Sequence, residues 1–146
     1  MPIYIGVAVA IAVVVIVLAY TLTGGFQHTS GPPTEVILPH GTTYAIGGGQ
    51  STGITLTVST PSVLRGTFQT GAWVTLYRMT LTEYASFVKS GNVSGYEWTS
   101  GQISSQSYYN LTVSIPVGSW VLVFANPSPT LSIAVTFLTD VTLAPA

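Results

Sequence analysis

Two of the three asparagines stand in Asn-x-Ser/Thr spacing, Asn92 in "NVS" and Asn110 in "NLT". That is the acceptor pattern for an N-linked sugar. Ser and Thr make up about a quarter of the chain, so two matches stand only a little above chance. Position adds weight: Asn92 falls in a turn after a helical pattern, and Asn110 opens a strand on its outward parity. A metal site needs three or four converging N, O or S ligands. The chain offers His28, His40, Glu35, Glu83, Glu97 and Asp140, scattered, and no cysteine. No metal, cofactor or disulfide is expected from that set. Ser/His/Asp chemistry would have to use His40 with one of the four acids, and no "GxSxG" loop accompanies it. Paired carboxylates could come only from the same four acids, none adjacent in sequence. "GGGQSTG" (Gly47 to Gly53) lacks the Lys-Ser/Thr ending of a phosphate loop and has no helix behind it, so it reads as a turn. No catalytic residue emerges, and the chain reads as a non-enzyme.

The aromatics are a different matter. Tyr96, Trp98, Tyr108 and Tyr109 flank "TSGQISSQS". Exposed Tyr and Trp stack on sugars or anchor a protein partner; in a small sandwich the same residues also serve as core or edge cover. Core or edge cover is the commoner use, and if any face binds a partner it is the one around this loop.

Charge sets the outer limits. Charged residues are 5% of the chain, against about 25% in ordinary globular domains. Three basic residues and a net charge of −1 leave no footprint for nucleic acid and no polybasic patch for anionic lipid. The hydrophobic share is 47%, unlike the low-hydrophobicity, high-charge signature of disorder. A folded body with a neutral, hydroxyl-rich surface follows. With four side-chain carboxylates, few groups can couple folding to pH, and the body is expected to stay stable from neutral pH into acid.

The elements that must carry these residues divide the chain in three. Residues 1–23 contain an uncharged run, Ile3 to Leu22, whose twenty residues suffice to cross the roughly 30 Å hydrocarbon layer as a helix. Tyr4 and Tyr20 would stand at the two interfaces. A cleaved signal would carry a basic n-region and a shorter apolar stretch, although "VLA" (Val17 to Ala19) supplies a cleavage pattern. The run is therefore expected to be a retained anchor, with the lipid bilayer as partner through residues 3–22. Residues 24–33, within "TGGFQHTSGPP", read as a flexible linker.

Residues 34–146 read as an extracytoplasmic domain of mainly β class. "GITLTVS" alternates with Ile54, Leu56 and Val58 on one face, and "NLTVSI" does the same with Leu111, Val113 and Ile115. "TLSIAVTFLTDVTL" places Leu131, Ile133, Val135, Phe137, Val141 and Leu143 together. "AWVTLYR" and "SWVLVFAN" are more continuously apolar, as central strands are. Turn residues at "GGG", "TPS", "PVG" and "NPSP" separate them. Seven to nine short strands so spaced predict a β-sandwich, jelly-roll-like. One segment departs: "TLTEYASFVKSG" has Thr80 and Glu83 in capping-box spacing, then Leu81, Tyr84, Ala85 and Val88 at helical spacing. It predicts one short helix over an end of the sandwich, closed by Gly91.

Two resemblances follow from these patterns. "LYRMTLTEYASFVKSG" and "IPVGSWVLVFANPSPTLSIAVTF" resemble features of small surface domains of archaea and some bacteria, similar to GOLD-like or prepeptidase-C-terminal-like β-sandwiches, over Val74 to Phe137. The resemblance implies a non-enzymatic, exported and membrane-tethered module with other protein subunits as partners, a structural or adhesive role at the cell surface, and transfers no functional residue. The chain also resembles archaeal filament subunits, which pair an apolar N-terminal helix, the filament core, with a Ser/Thr-rich, glycosylated β-domain. The chain departs from type IV pilins in having no Lys/Arg-Gly site before the run and a short helix. A donor-strand filament would have "TEVILP" (Thr34 to Pro39) insert into the next subunit's sheet edge.

Overall fold

The computed structural model describes residues 13–17 and 34–146. Outside them lie Tyr4, Tyr20, His28, the linker 24–33 and most of the apolar run. Among the described residues no helix is long and apolar enough to cross a membrane.

Eleven strands and one helix make up the described chain. In order they are β1 (Val13–Val17), β2 (Glu35–Leu38), β3 (Thr43–Ile46), β4 (Ser51–Val58), β5 (Ser62–Thr70) and β6 (Val74–Thr80). Then come α1 (Leu81–Ser90), β7 (Trp98–Ile103), β8 (Gln106–Ile115), β9 (Gly118–Ala125), β10 (Ile133–Phe137) and β11 (Val141–Pro145). One sheet runs β1-β4-β9-β6-β7; the other runs β2-β11-β5-β10-β3, with β8 also on β5. β5 is long enough for β11 to pair with its first half (Ser62 to Arg65) and β10 with its second (Phe68 to Thr70). β8 covers its opposite side.

The alternation in the sequence decides what lies between the sheets. Ile54, Leu56 and Val58 of β4 are buried, as are Leu111, Val113 and Ile115 of β8. They join Leu64, Phe68, Leu76, Leu122 and Phe124 in one core. Phe124 and Phe137 meet edge-on at 5.7 Å between centroids, and Phe68 and Tyr44 make further edge contacts with both. Such pairs add roughly 0.5–1.5 kcal/mol each beyond their buried area. Tyr44 sends its hydroxyl into this core without a hydrogen-bond partner, and burial pushes its pKa up to about 12.

The last apolar segment is not one strand. β10 ends at Phe137, and the corner Leu138–Asp140 turns the chain into β11. Leu131, expected inside, is 64% exposed, because it precedes β10 in a loop.

The helix forms where the capping box predicted it. The Thr80 hydroxyl accepts from Glu83 N–H, the Glu83 carboxylate accepts from Thr80 N–H at 2.8 Å, and Gly91 closes it at φ +78°. Its placement differs from the expectation. α1 lies on the outer face of the first sheet, over Met79, Val121 and Val123, and not over an end. The contacting side chains are Tyr84 and Phe87; Leu81, Ala85 and Val88 are exposed. Two aromatic rings offer more contact area than the aliphatic stripe, so they decide which way the helix rolls. Gly53 admits this packing, since a Cβ there would sit 2.8 Å from Val121 and 3.4 Å from Tyr84.

Asn126 fixes the "NPSP" turn to the neighbouring "GGG" turn. Its side chain is 3% exposed. Nδ2 donates to the carbonyls of Ile46 (3.1 Å), Gly47 (3.0 Å) and Leu131 (2.6 Å), and Oδ1 accepts from Ser128 N–H at 3.0 Å. This brings Asn126–Ser132 and Gly47–Gln50 to one end of the sandwich. Trp73, 51% exposed, stands at the same end, since Gly71 N–H donates to Ala134. β2 starts at the other end: Glu35 pairs with Leu143, which pairs with Leu64 near the start of β5.

Five residues of the apolar run are described, and they form β1. It pairs in parallel with β4, Val13 opposite Gly53 through Val17 opposite Thr57. Consecutive β-branched residues suit a strand as well as an apolar helix. Among the described residues Val13–Val17 is the one strand placed parallel to its partner, and every other pairing is antiparallel.

Candidate functional site

The four aromatics singled out by the sequence do not share a face. On β8, alternation turns Tyr109 inward against Phe68, 5.1 Å between ring centroids, and leaves Tyr108 outward and 58% exposed. Trp98 packs against the same core. Tyr96 leans on Tyr77 at 5.1 Å, on the helix-bearing sheet. Two of the four are therefore core cover, and the two exposed ones belong to different sheets.

Asn92 and Asn110 are both exposed. Asn92 sits in the turn after α1, where Ser90 Oγ accepts from its N–H at 3.0 Å. Asn110 is on the outward face of β8, opposite Thr67 in the ladder.

The acids fall into positions the sequence could not reveal. Glu83 and Glu97 come close together, and the neighbouring Glu83 carboxyl holds Glu97 above the usual carboxylate range. Glu83 is at the same time committed to the helix cap. Glu35 is also raised, by partial burial. Asp140 accepts the backbone N–H of His40 at 2.8 Å, with His40 Nδ1 3.7 Å from the same oxygen. His40 and Asp140 are thus neighbours, but both are exposed and held in a turn contact. Among the described residues no group of three His, Cys, Asp or Glu converges on a point that would hold a metal.

Arg78 closes the space between the sheets near their edge. It lies on the inward parity of β6, its guanidinium 4.9 Å from the Trp120 ring centroid and donating to the carbonyl of Ser114 on β8. Partial burial lowers its pKa, with Glu97 opposing. Trp120 Nε1 is itself held by the carbonyl of Pro116 at 2.7 Å.

A polar recess lies on the β8-bearing sheet. Between the stretches of β5 covered by β11 and β10, Gly66 and Thr67 meet the corner Leu138–Asp140 instead of a strand. Thr67 N–H donates to Thr139 Oγ1 at 3.0 Å, and Leu138 N–H to Thr67 O at 2.7 Å. The resulting cleft of about 440 Å³ is lined by Arg65, Thr67, Asn110, Thr112, Asp140 and Thr142, among others. Sequence reasoning named Asn110 and Asp140 separately and missed that the fold brings them together with Arg65.

No family model matches the chain, and no curated protein matches it. Among solved structures it is similar to the pre-peptidase C-terminal domain of a collagenase from Bacillus anthracis. That match has 11% identity, covers 68% of this chain and 90% of that one, and has a TM-score of 0.42. It is also similar to PliG, a periplasmic inhibitor of g-type lysozyme from Aeromonas hydrophila. Here identity is 8%, coverage 90% of this chain and 96% of that one, and the TM-score 0.37. At scores this low the sandwich is defined by its own strand order alone.

Proposed function

We propose that this chain is a non-enzymatic structural or adhesive module of the cell surface. In this reading its N-terminal run is held in the membrane and the sandwich stands outside the cytoplasm as part of a larger assembly. The observation that carries it is how the few charged side chains are used. Glu83 caps α1, Asp140 ties down His40 and Arg78 plugs the gap between sheets. Three of the seven charged side chains thus serve architecture, and most of the remaining surface is hydroxyl-rich and neutral. The polarity of the body supports the same reading. Its attachment point at Thr34 is at one end, and exposed Trp73 and Leu131 stand at the other, where a partner would be met. Sugars on Asn92 and Asn110 would suit an external face. Protease added to intact cells that make the chain should remove the body and leave an apolar fragment; full protection would place the body inside and sink the proposal.

A second reading has one specific observation behind it. β1, from the apolar run, lies along β4 as an added strand, which favours a filament in which this segment completes a neighbour's sheet. The segment expected to do so from sequence, Thr34 to Pro39, is instead used at home, with Glu35–Leu38 paired to β11. Val13–Val17 cannot lie in lipid and on β4 at once: the anchored reading requires β4 to give up this pairing in the membrane, and the filament reading keeps it between subunits. Fibres in negative-stain images of the native material would decide for the filament.

A further inference from the structure

The cleft between β5, β8 and the Leu138–Asp140 corner has a composition that narrows its ligand. Arg65 and Asp140 both line it, and among the described residues no ion pair joins them. Asp140 Oδ1 is occupied by His40 N–H. One guanidinium balanced by one carboxylate gives no net field for a phosphate or a nucleic acid. One carboxylate is too few for a metal. The remaining lining is amide and hydroxyl: Asn110 stands opposite Thr67 and Thr112 opposite Arg65 in the ladder, with Thr139 and Thr142 across the cleft. An apolar ligand would leave these groups unpaired. Tyr108, on the same face of β8 as Asn110 and Thr112, presents an exposed ring beyond the cleft.

Hydroxyls both donate and accept. A ligand made of neighbouring hydroxyls on a ring is the one that can use a guanidinium, a carboxylate and an amide together, with an aromatic face for its C–H side. The volume of about 440 Å³ falls within the roughly 300–1,000 Å³ usual for small-molecule sites. We propose that this cleft seats a neutral saccharide. The inference rests on the surface-module reading and gives its adhesive role a ligand class. The sugar has two sources: a free glycan of another surface, or a glycan carried on Asn110 itself, whose side chain lines the cleft.

The test uses the full chain in a detergent without a sugar headgroup, made in a host that does not N-glycosylate. Titration with maltotriose and with diacetylchitobiose, followed by backbone amide NMR, should shift Asn110, Thr112, Thr139 and Asp140 and saturate. Arg65→Ala and Asp140→Asn should each weaken that binding about tenfold or more, the usual size for a hydrogen bond to a charged group, with unchanged melting. The same chain from a glycosylating host separates the sources. A sugar on Asn110, lost in Asn110→Gln, should block the free probe if the linked glycan fills the cleft. Absence of shifts in the unmodified chain at tens of millimolar probe, together with no protection of a linked sugar, overturns the proposal. Shifts that survive both substitutions overturn it as well. Neither result bears on the membrane or the external position of the body, which the protease experiment tests separately.

Discussion

Replacing Asn126 by alanine deletes one side chain and loosens two turns. Its Nδ2 serves the carbonyls of Ile46, Gly47 and Leu131, and its Oδ1 holds Ser128 N–H. The residue is 3% exposed, so water cannot easily replace it. A neutral hydrogen bond contributes about 1 kcal/mol net, and a buried carbonyl left unpaired costs about 1–3 kcal/mol. Two amide hydrogens shared among three carbonyls, plus one accepted bond, give a loss of about 3 kcal/mol for Asn126→Ala. For a body of this size that is roughly 10 °C in melting temperature. Asn126→Asp separates hydrogen bonding from packing, because it keeps the shape and removes the donors. At neutral pH it should cost at least as much as alanine, since a carboxylate would face three carbonyls. Protonation would then be tighter in the folded state than in the unfolded one, so part of the loss should return as pH falls below the raised folded pKa. Urea unfolding of the three proteins at pH 7 and pH 4 measures this. A loss under 0.5 kcal/mol for alanine, or an aspartate variant as stable as wild type at pH 7, would refute the reasoning.

Further expectations follow from the charged residues and turns. Glu97 and Glu35 both have raised pKa values, Glu97 through the neighbouring Glu83 carboxyl and Glu35 through burial. The folded state therefore holds protons more tightly, and this contribution is full below the ordinary carboxyl pKa and fades as pH rises through the folded values. Melting at pH 4 should equal or exceed melting at pH 7, and a large acid loss would contradict it. Arg78→Met should cost about 2 kcal/mol, from the contact with Trp120 and the bond to Ser114 O, read by chemical denaturation. Gly91→Ala, at φ +78°, should cost about 1 kcal/mol and fray α1. Glycopeptide mass spectrometry of material from a glycosylating cell should find sugar at Asn92, whose exposed turn offers the most accessible acceptor.

What the sequence disclosed was local and periodic. The alternation of Ile54, Leu56 and Val58 and the Thr80–Glu83 spacing each settle within a few residues, and the fold keeps both. The face of α1 was not legible, because Tyr84 and Phe87 choose it against Met79, Val121 and Val123 on distant strands. Trp98 and Tyr109 carry no local mark of facing inward; the register of β7 and β8 decides it. The same holds for the site. Arg65, Asn110 and Asp140 are far apart in the chain and meet only because β8 lies on β5 and the corner after β10 crosses it. Glu83 and Glu97 meet because the chain returns along β6 after the helix. Asn126 read as a turn residue, and only the folded turns show how many carbonyls it serves.

The proposed role depends on where the apolar run resides. Alkaline extraction of membranes from cells that make the chain, with the mass of the extracted or retained protein, tests this most directly. An anchored chain stays with the lipid pellet, with residues 3–22 still present. Release of the sandwich into the wash, or a mature protein that begins after Leu22, would contradict it.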